Sequence, residues 1–223
     1  MKKIILGGLS LLLMLTACKK DSNHPGTPVV NNNLNLSNLK VGQQSRYINY
    51  RTTCENFDTD FQFPGDTLLL EVVEINGALH LQEDITSNSP LRLNQQFAAP
   101  QTYPVIKTEH YILLKERSNS MLFSFYGNDT IWLQPKTDVV LVQNDCRLEI
   151  ESNPFIGNEI GHTEEFKVGP LMHQNKTVVS CVPSSYQVDA YLIYSPSHLH
   201  MSHRIAGAFW EEPTVTGWSL LQN

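Results

Sequence analysis

The chain has 223 residues, with 16 Lys and Arg against 22 Asp and Glu and a formal net charge of −6. That acidic balance excludes nucleic acid and anionic lipid as electrostatic partners, because phosphate contacts need clustered Lys and Arg, and no basic cluster follows Lys20.

The N-terminus reads "MKKIILGGLSLLLMLTACKK". Lys2 and Lys3 form a short basic region, and Ile4 to Leu15 is an apolar run broken only by two glycines and Ser10. Such a run is too short for a permanent transmembrane helix and has the length of a signal-peptide core. It ends in Leu15-Thr16-Ala17-Cys18. This stretch resembles the lipobox of bacterial lipoprotein signals: an aliphatic residue, two small residues and a cysteine. The resemblance implies cleavage before Cys18, thioether diacylation of its sulfur and acylation of the new amino group with a palmitate-type chain. Each buried methylene contributes about 0.8 kcal/mol, so several chains hold a domain at a membrane without a spanning helix. By the sorting pattern of the same family, Lys19 in place of aspartate implies the outer membrane.

Residues 1–17 form the expected signal peptide. Their removal takes Lys2 and Lys3 and no acid, leaving 14 basic against 22 acidic residues, net −8. Residues 18–33 supply the lipidated cysteine and the polar stretch "KKDSNHPGTPVVNNN", which has the composition of a flexible tether. Residues 34–223 are long enough for one domain with a sizeable core.

That body is written in strands. "SRYINYRTT" (45–53) comes first. "DTLLLEVVEI" and "ALHLQEDIT" flank Asn76-Gly77, whose tolerance of positive φ suits a type I′ hairpin turn. "YPVIKTEHYILLKER" and "MLFSFYG" flank a second turn at Ser118 to Ser120, and Gly127 to Asp129 marks a third. "DVVLVQND", "CRLEIES", "KTVVSCV", "YQVDAYLIY" and "HLHMSHRIAGAFW" follow, for ten to twelve strands in all. Ser87–Tyr103 and Ser152–Gly169 read as irregular segments. Sequential hairpins without crossover helices exclude a parallel α/β sheet. The expected fold is therefore an all-β antiparallel meander, first as a lipocalin-type barrel and second as a β-sandwich.

Three cysteines follow the lipid site. Export to an oxidising compartment favours one disulfide, and Cys146 with Cys181 is the expected pair, since both lie in strand-like runs of the same half. None of the cysteines has C-x-x-C spacing, which removes a thioredoxin-type or zinc-ribbon reading.

Three histidines crowd into "SPSHLHMSHR". Taken as one strand through residue 209, the segment places Leu199, Met201 and Ile205 on one face and His198, His200, Ser202 and Arg204 on the other. His203 has the apolar parity, so the reading needs a bulge near Ser202-His203 to turn it outward. This alternation is what any half-buried strand shows. Two imidazoles on one face also suit a transition metal or haem, with a third ligand from His203, His162, His173, Glu211 or Glu212. The His-x-His spacing is similar to that of cupins, but the upstream glycine and following glutamate of that family are missing, so no cupin role is carried over.

Neither a nucleophile elbow nor a phosphate-binding glycine loop occurs. Glu164-Glu165 and Glu211-Glu212 read as surface charge, and Trp132, Trp210 and Trp218 as core aromatics rather than a stacking platform. Asp66-Thr67-Leu68 and Asp129-Thr130-Ile131 resemble an O-glycosylation signal of some exported bacterial proteins. The sequence thus points to a lipid-anchored, non-enzymatic binding or accessory module of the cell envelope with a small ligand or an envelope protein as partner. The alternative is transition-metal or haem binding through His198, His200 and His203. No cofactor is required by any motif.

Overall fold

The computed structural model describes residues 34–57, 59–86, 99–123, 129–133, 139–150, 153–154, 160–181, 188–207 and 212–221. The leader, Cys18 and the tether lie outside the described residues, as do Glu211, Trp210 and the turn at Gly127-Asn128.

The described residues form strands joined by turns and two short 3₁₀ turns at Leu36–Asn38 and Arg117–Asn119. In chain order the strands are β1 (Gln44–Thr53), β2 (Thr67–Ile75), β3 (Ala78–Ile85), β4 (Gln101–Lys107), β5 (Tyr111–Leu114), β6 (Thr130–Trp132) and β7 (Val140–Asn144). They continue as β8 (Arg147–Ile150), β9 (Asn153–Pro154), β10 (Ile160–Val168), β11 (Leu171–Cys181), β12 (Val188–Tyr194), β13 (Leu199–Ala206) and β14 (Thr214–Leu220). One sheet holds all of them, in the order β6-β5-β4-β3-β2-β1-β14-β13-β12-β11-β10-β7-β8-β9. Every pairing is antiparallel except the short parallel contact between β7 and β10.

The all-β meander expected from the sequence is therefore present. Closure into a barrel is not, among the described residues: the ladder ends at β6 on one side and β9 on the other. Its hinge is the long-range pair β1–β14, whose register runs from Tyr47 opposite Leu220 to Thr53 opposite Thr214. Two meanders of sequential hairpins extend from that pair in opposite directions.

Two apolar cores lie on opposite faces of the middle strands. On β12, Ala190, Leu192 and Tyr194 belong to one core, while Tyr191 and Ile193 belong to the other. The first core gathers Leu68, Leu70, Leu81, Tyr103, Ile112, Phe123 and Ile131 from the β2–β6 arm and its turns. The second gathers Leu141, Leu148, Phe166, Val168 and Val178 from the β7–β11 arm. Each arm thus covers one face of β12, β13 and β14. This explains why 191–194 of β12 is an unbroken apolar run: it is buried on both sides. Each fully buried Leu, Ile or Phe contributes about 1.5–3 kcal/mol of transfer free energy.

Local chemistry sets several of these elements. Asn76 and Gly77 have φ of 53° and 77° and close the β2–β3 hairpin, as their sequence demands. "YPVIKTEHYILL" does not run straight. It breaks at Thr108, whose hydroxyl accepts from the amides of His110 and Tyr111, and becomes the β4–β5 hairpin. β10 was expected to be irregular because its burial does not alternate simply. Gly161 and Thr163 are buried, then Phe166 and Val168, with Glu164 and Glu165 both exposed between them. The frame shift lies beside Asn175 of β11, which takes φ of 51°. β14 was not recognised in the sequence, yet it joins the chain's two halves.

Gly217 of β14 is required by crowding. A Cβ there would collide with the Ser202 carbonyl and the Tyr50 phenol, because Tyr50 lies across β14 toward β13.

Candidate binding site

The expected strand through "YLIYSPSHLHMSHR" is two strands. Ser195 and His198 exchange backbone hydrogen bonds (2.8 and 3.2 Å), and the Ser195 hydroxyl accepts from the His198 amide at 3.2 Å. His198 therefore sits in a turn, not on the strand. Ile193 pairs with Met201, but Tyr194 pairs with Leu199, so His200 is the extra residue of a bulge. The bulge lies three residues before its expected place. It also changes which core the odd residues enter: Leu199 packs in the first, Met201 and Ile205 in the second.

His203 consequently stays inside, which corrects the outward-facing ligand expected from the sequence. It is 1% exposed. Its Nδ1 accepts from the Tyr50 hydroxyl at 2.8 Å and its Nε2 donates to the Cys146 carbonyl at 3.1 Å, a pairing that suits the neutral ring. Tyr50 and Tyr191 stack on it at 6.1 and 5.8 Å, and Phe57 and Phe166 meet it edge-on at 5.8 and 5.4 Å. Burial lowers its pKa to about 4, partly countered by the Cys146 bond. His203 is a core residue, far in role from a metal ligand.

The expected disulfide is also corrected. Cys146 is bonded to Cys54, with Cα atoms 5.1 Å apart. Cys54 follows β1 and Cys146 lies in the β7–β8 turn, where His203 holds its carbonyl. Cys181 ends β11 opposite Ala190 of β12. Lying in the same half of the chain does not bring two residues together; the sheet order does.

What remains of the histidine cluster acquires a different third member. His173 of β11 and His200 lie with ring centroids 6.0 Å apart, and His200 and His198 lie 5.9 Å apart. His162 lies instead opposite Thr177 in the β10–β11 pair, and the Glu212 carboxylate accepts from the Glu55 amide. Among the described residues no three His, Cys, Asp or Glu side chains converge as a metal centre. The His198, His200 and His203 set is thus not assembled.

The rings of His173 and His200 wall an open depression of about 550 Å³, together with Met172, Gln174, Asn175 and Lys176. Ser195 Oγ lies 3.1 Å from His200 Nε2 and fixes that ring. His173 is 6% exposed, and among the described residues its buried Nε2 has no hydrogen-bond partner. Burial first, and then the Lys176 ammonium, lower the pKa of His173 to about 4 and of His200 to about 3. The same two causes lower His198. All three rings are neutral at pH 7.

A second polar centre escaped the sequence reading. Glu83 of β3 is 3% exposed and accepts from Ser120 Oγ (2.5 Å), the Met121 amide (2.6 Å), Tyr103 Oη (2.7 Å) and the Leu122 amide (3.4 Å). Burial raises its pKa, and these bonds oppose the rise. The signal was present: Leu81, Glu83 and Ile85 share one parity, so a carboxylate stands in an apolar row. Its donors come from the turn after residue 119 and from β4, which makes it an internal tie between arm and turn rather than a site open to ligand.

No family model, no curated protein and no solved structure matches this chain. Fold and site together define an antiparallel all-β protein with an imidazole-walled surface depression.

Proposed function

We propose that this chain is a lipid-anchored protein of the bacterial outer membrane, tethered through Cys18, whose β body is a non-enzymatic binding module. Its binding site is the depression walled by His173, His200 and Lys176. The observation that carries the binding half is the open depression that gathers Lys176, His200 and His173, the last with a buried Nε2 that has no partner among the described residues. Buried polar atoms are nearly always satisfied, and leaving one unpaired costs about 1–3 kcal/mol. The anchor half rests on the lipobox residues; no helix among the described residues is long and apolar enough to cross a membrane.

Two measurements test the reading. Cys18→Ser is expected to abolish fatty-acid labelling and release the protein from the membrane fraction. Continued membrane association removes the anchor. His173→Leu keeps the ring's approximate volume without the orphan nitrogen. It is expected to raise the urea midpoint of the ligand-free protein, as substitutions at binding sites do when function opposes stability. A lowered midpoint means that His173 is a satisfied core residue and overturns the site.

A further inference from the structure

We infer that the depression takes a small oxyanion, of the sulfate or carboxylate class, held by the Lys176 ammonium and the imidazoles of His173 and His200. The inference rests on the reading of this depression as a binding site. Its lining among the described residues is Met172, His173, Gln174, Asn175, Lys176 and His200, with no carboxylate among those six. The acids nearest in register, Glu164 and Glu165 of β10, are exposed, and Glu165 stands opposite Gln174. Among the described residues Lys176 is the charged side chain that acts on His173, His198 and His200 alike, and it disfavours a charge on each ring.

Ligand chemistry follows from that charge. A bare metal cation entering the depression meets Lys176 and neutral imidazoles, with no anionic ligand among the described residues to compensate. An oxyanion meets an ammonium, the half-buried His200 ring and the carboxamides of Gln174 and Asn175. The polar groups stand on paired strands, and the Ser195 contact fixes the His200 ring, so little ordering is needed on binding.

The test uses full-length protein in detergent, carrying a ¹³C label at histidine Cε1. Sodium sulfate, sodium acetate and zinc chloride are titrated separately against sodium chloride at matched ionic strength. Sulfate or acetate is expected to shift the His173 and His200 signals saturably, and Lys176→Ala is expected to weaken that binding at least fivefold. His200→Gln, which keeps a donor and the local volume, is expected to retain the fold and lose the His173 shift. The inference falls if neither anion shifts either signal beyond sodium chloride, or if Lys176→Ala binds the anion as well as the parent. If zinc alone produces the shifts, the anion class is wrong and the depression remains a binding site. If no probe moves the signals, the site reading falls with it.

Discussion

His203 makes the stability of this protein sensitive to acid. In the native state burial holds its pKa near 4, against 6.5 for the exposed ring. The folded value is depressed below the unfolded one, so protons bind preferentially to the unfolded chain as pH falls through 6.5. Stability from this residue is therefore complete above about pH 6.5 and lost progressively down to about pH 4. A difference of about 2.5 pK units corresponds to about 3 kcal/mol at 1.36 kcal/mol per unit. His203→Gln is the informative perturbation. The amide keeps a donor for the Cys146 carbonyl and an acceptor for the Tyr50 hydroxyl, and it does not titrate. Loss of four ring contacts costs the variant about 1–2 kcal/mol at pH 8. Urea unfolding of parent and variant at pH 8, 6.5, 5.5 and 4.5 reads the difference. The parent is expected to lose the pH 8 advantage on acidification and to become the less stable of the two near pH 4.5. His173, His198 and His200 add acid sensitivity of the same sign, but they are common to both proteins and cancel in the comparison. Parallel stability curves for the two proteins would show that His203 does not titrate between folded and unfolded states, and the assignment of a neutral buried ring would be wrong.

Other outcomes follow from the same geometry. Non-reducing peptide mapping should recover Cys54 joined to Cys146, and Cys54→Ser with Cys146→Ser should lower stability by about 4.6 kcal/mol, the chain-entropy value for a closed loop of this length; a Cys146–Cys181 peptide refutes the pairing. Glu83→Ala orphans two buried backbone amides, a serine and a tyrosine hydroxyl, and should cost at least about 3 kcal/mol by chemical unfolding. Tyr103→Phe removes one of those bonds and should cost only about 1 kcal/mol, so equal losses for the two variants contradict a shared carboxylate centre. Gly217→Ala drives a methyl group into the Ser202 carbonyl and the Tyr50 ring and should prevent accumulation of folded protein at 37 °C; normal expression with an unchanged melting temperature shows that Tyr50 lies elsewhere.

The sequence by itself determined what depends on near neighbours. Two-residue alternation in "DTLLLEVVEI" and "ALHLQEDI" specifies half-buried strands, and Asn76-Gly77 specifies the turn between them, because φ is fixed by the residues that occupy it. The absence of helical periodicity excludes crossover connections and leaves a meander. The separation of Met201 and Ile205 from Ser202 and Arg204 was legible for the same reason, whereas the bulge at His200 moved Leu199 to the other core. So was the surface character of Glu164 and Glu165.

Tertiary structure decided everything that depends on which strand meets which. β14 closes onto β1 across most of the chain, and no local signal reports a partner that far away. The residue left unpaired in the β12–β13 ladder is set by pairing between strands, so the bulge fell at His200 and not beside His203. That difference in position keeps His203 in an aromatic core and leaves the half-buried His200 beside His173. Cys54 found Cys146 because the sheet order brings the end of β1 to the β7–β8 turn. Side-chain direction is a local property with a period of two. The identity of the neighbour on that side depends on folding the whole chain, which is how His200 comes to stand beside residues 172–176 of β11 in the depression.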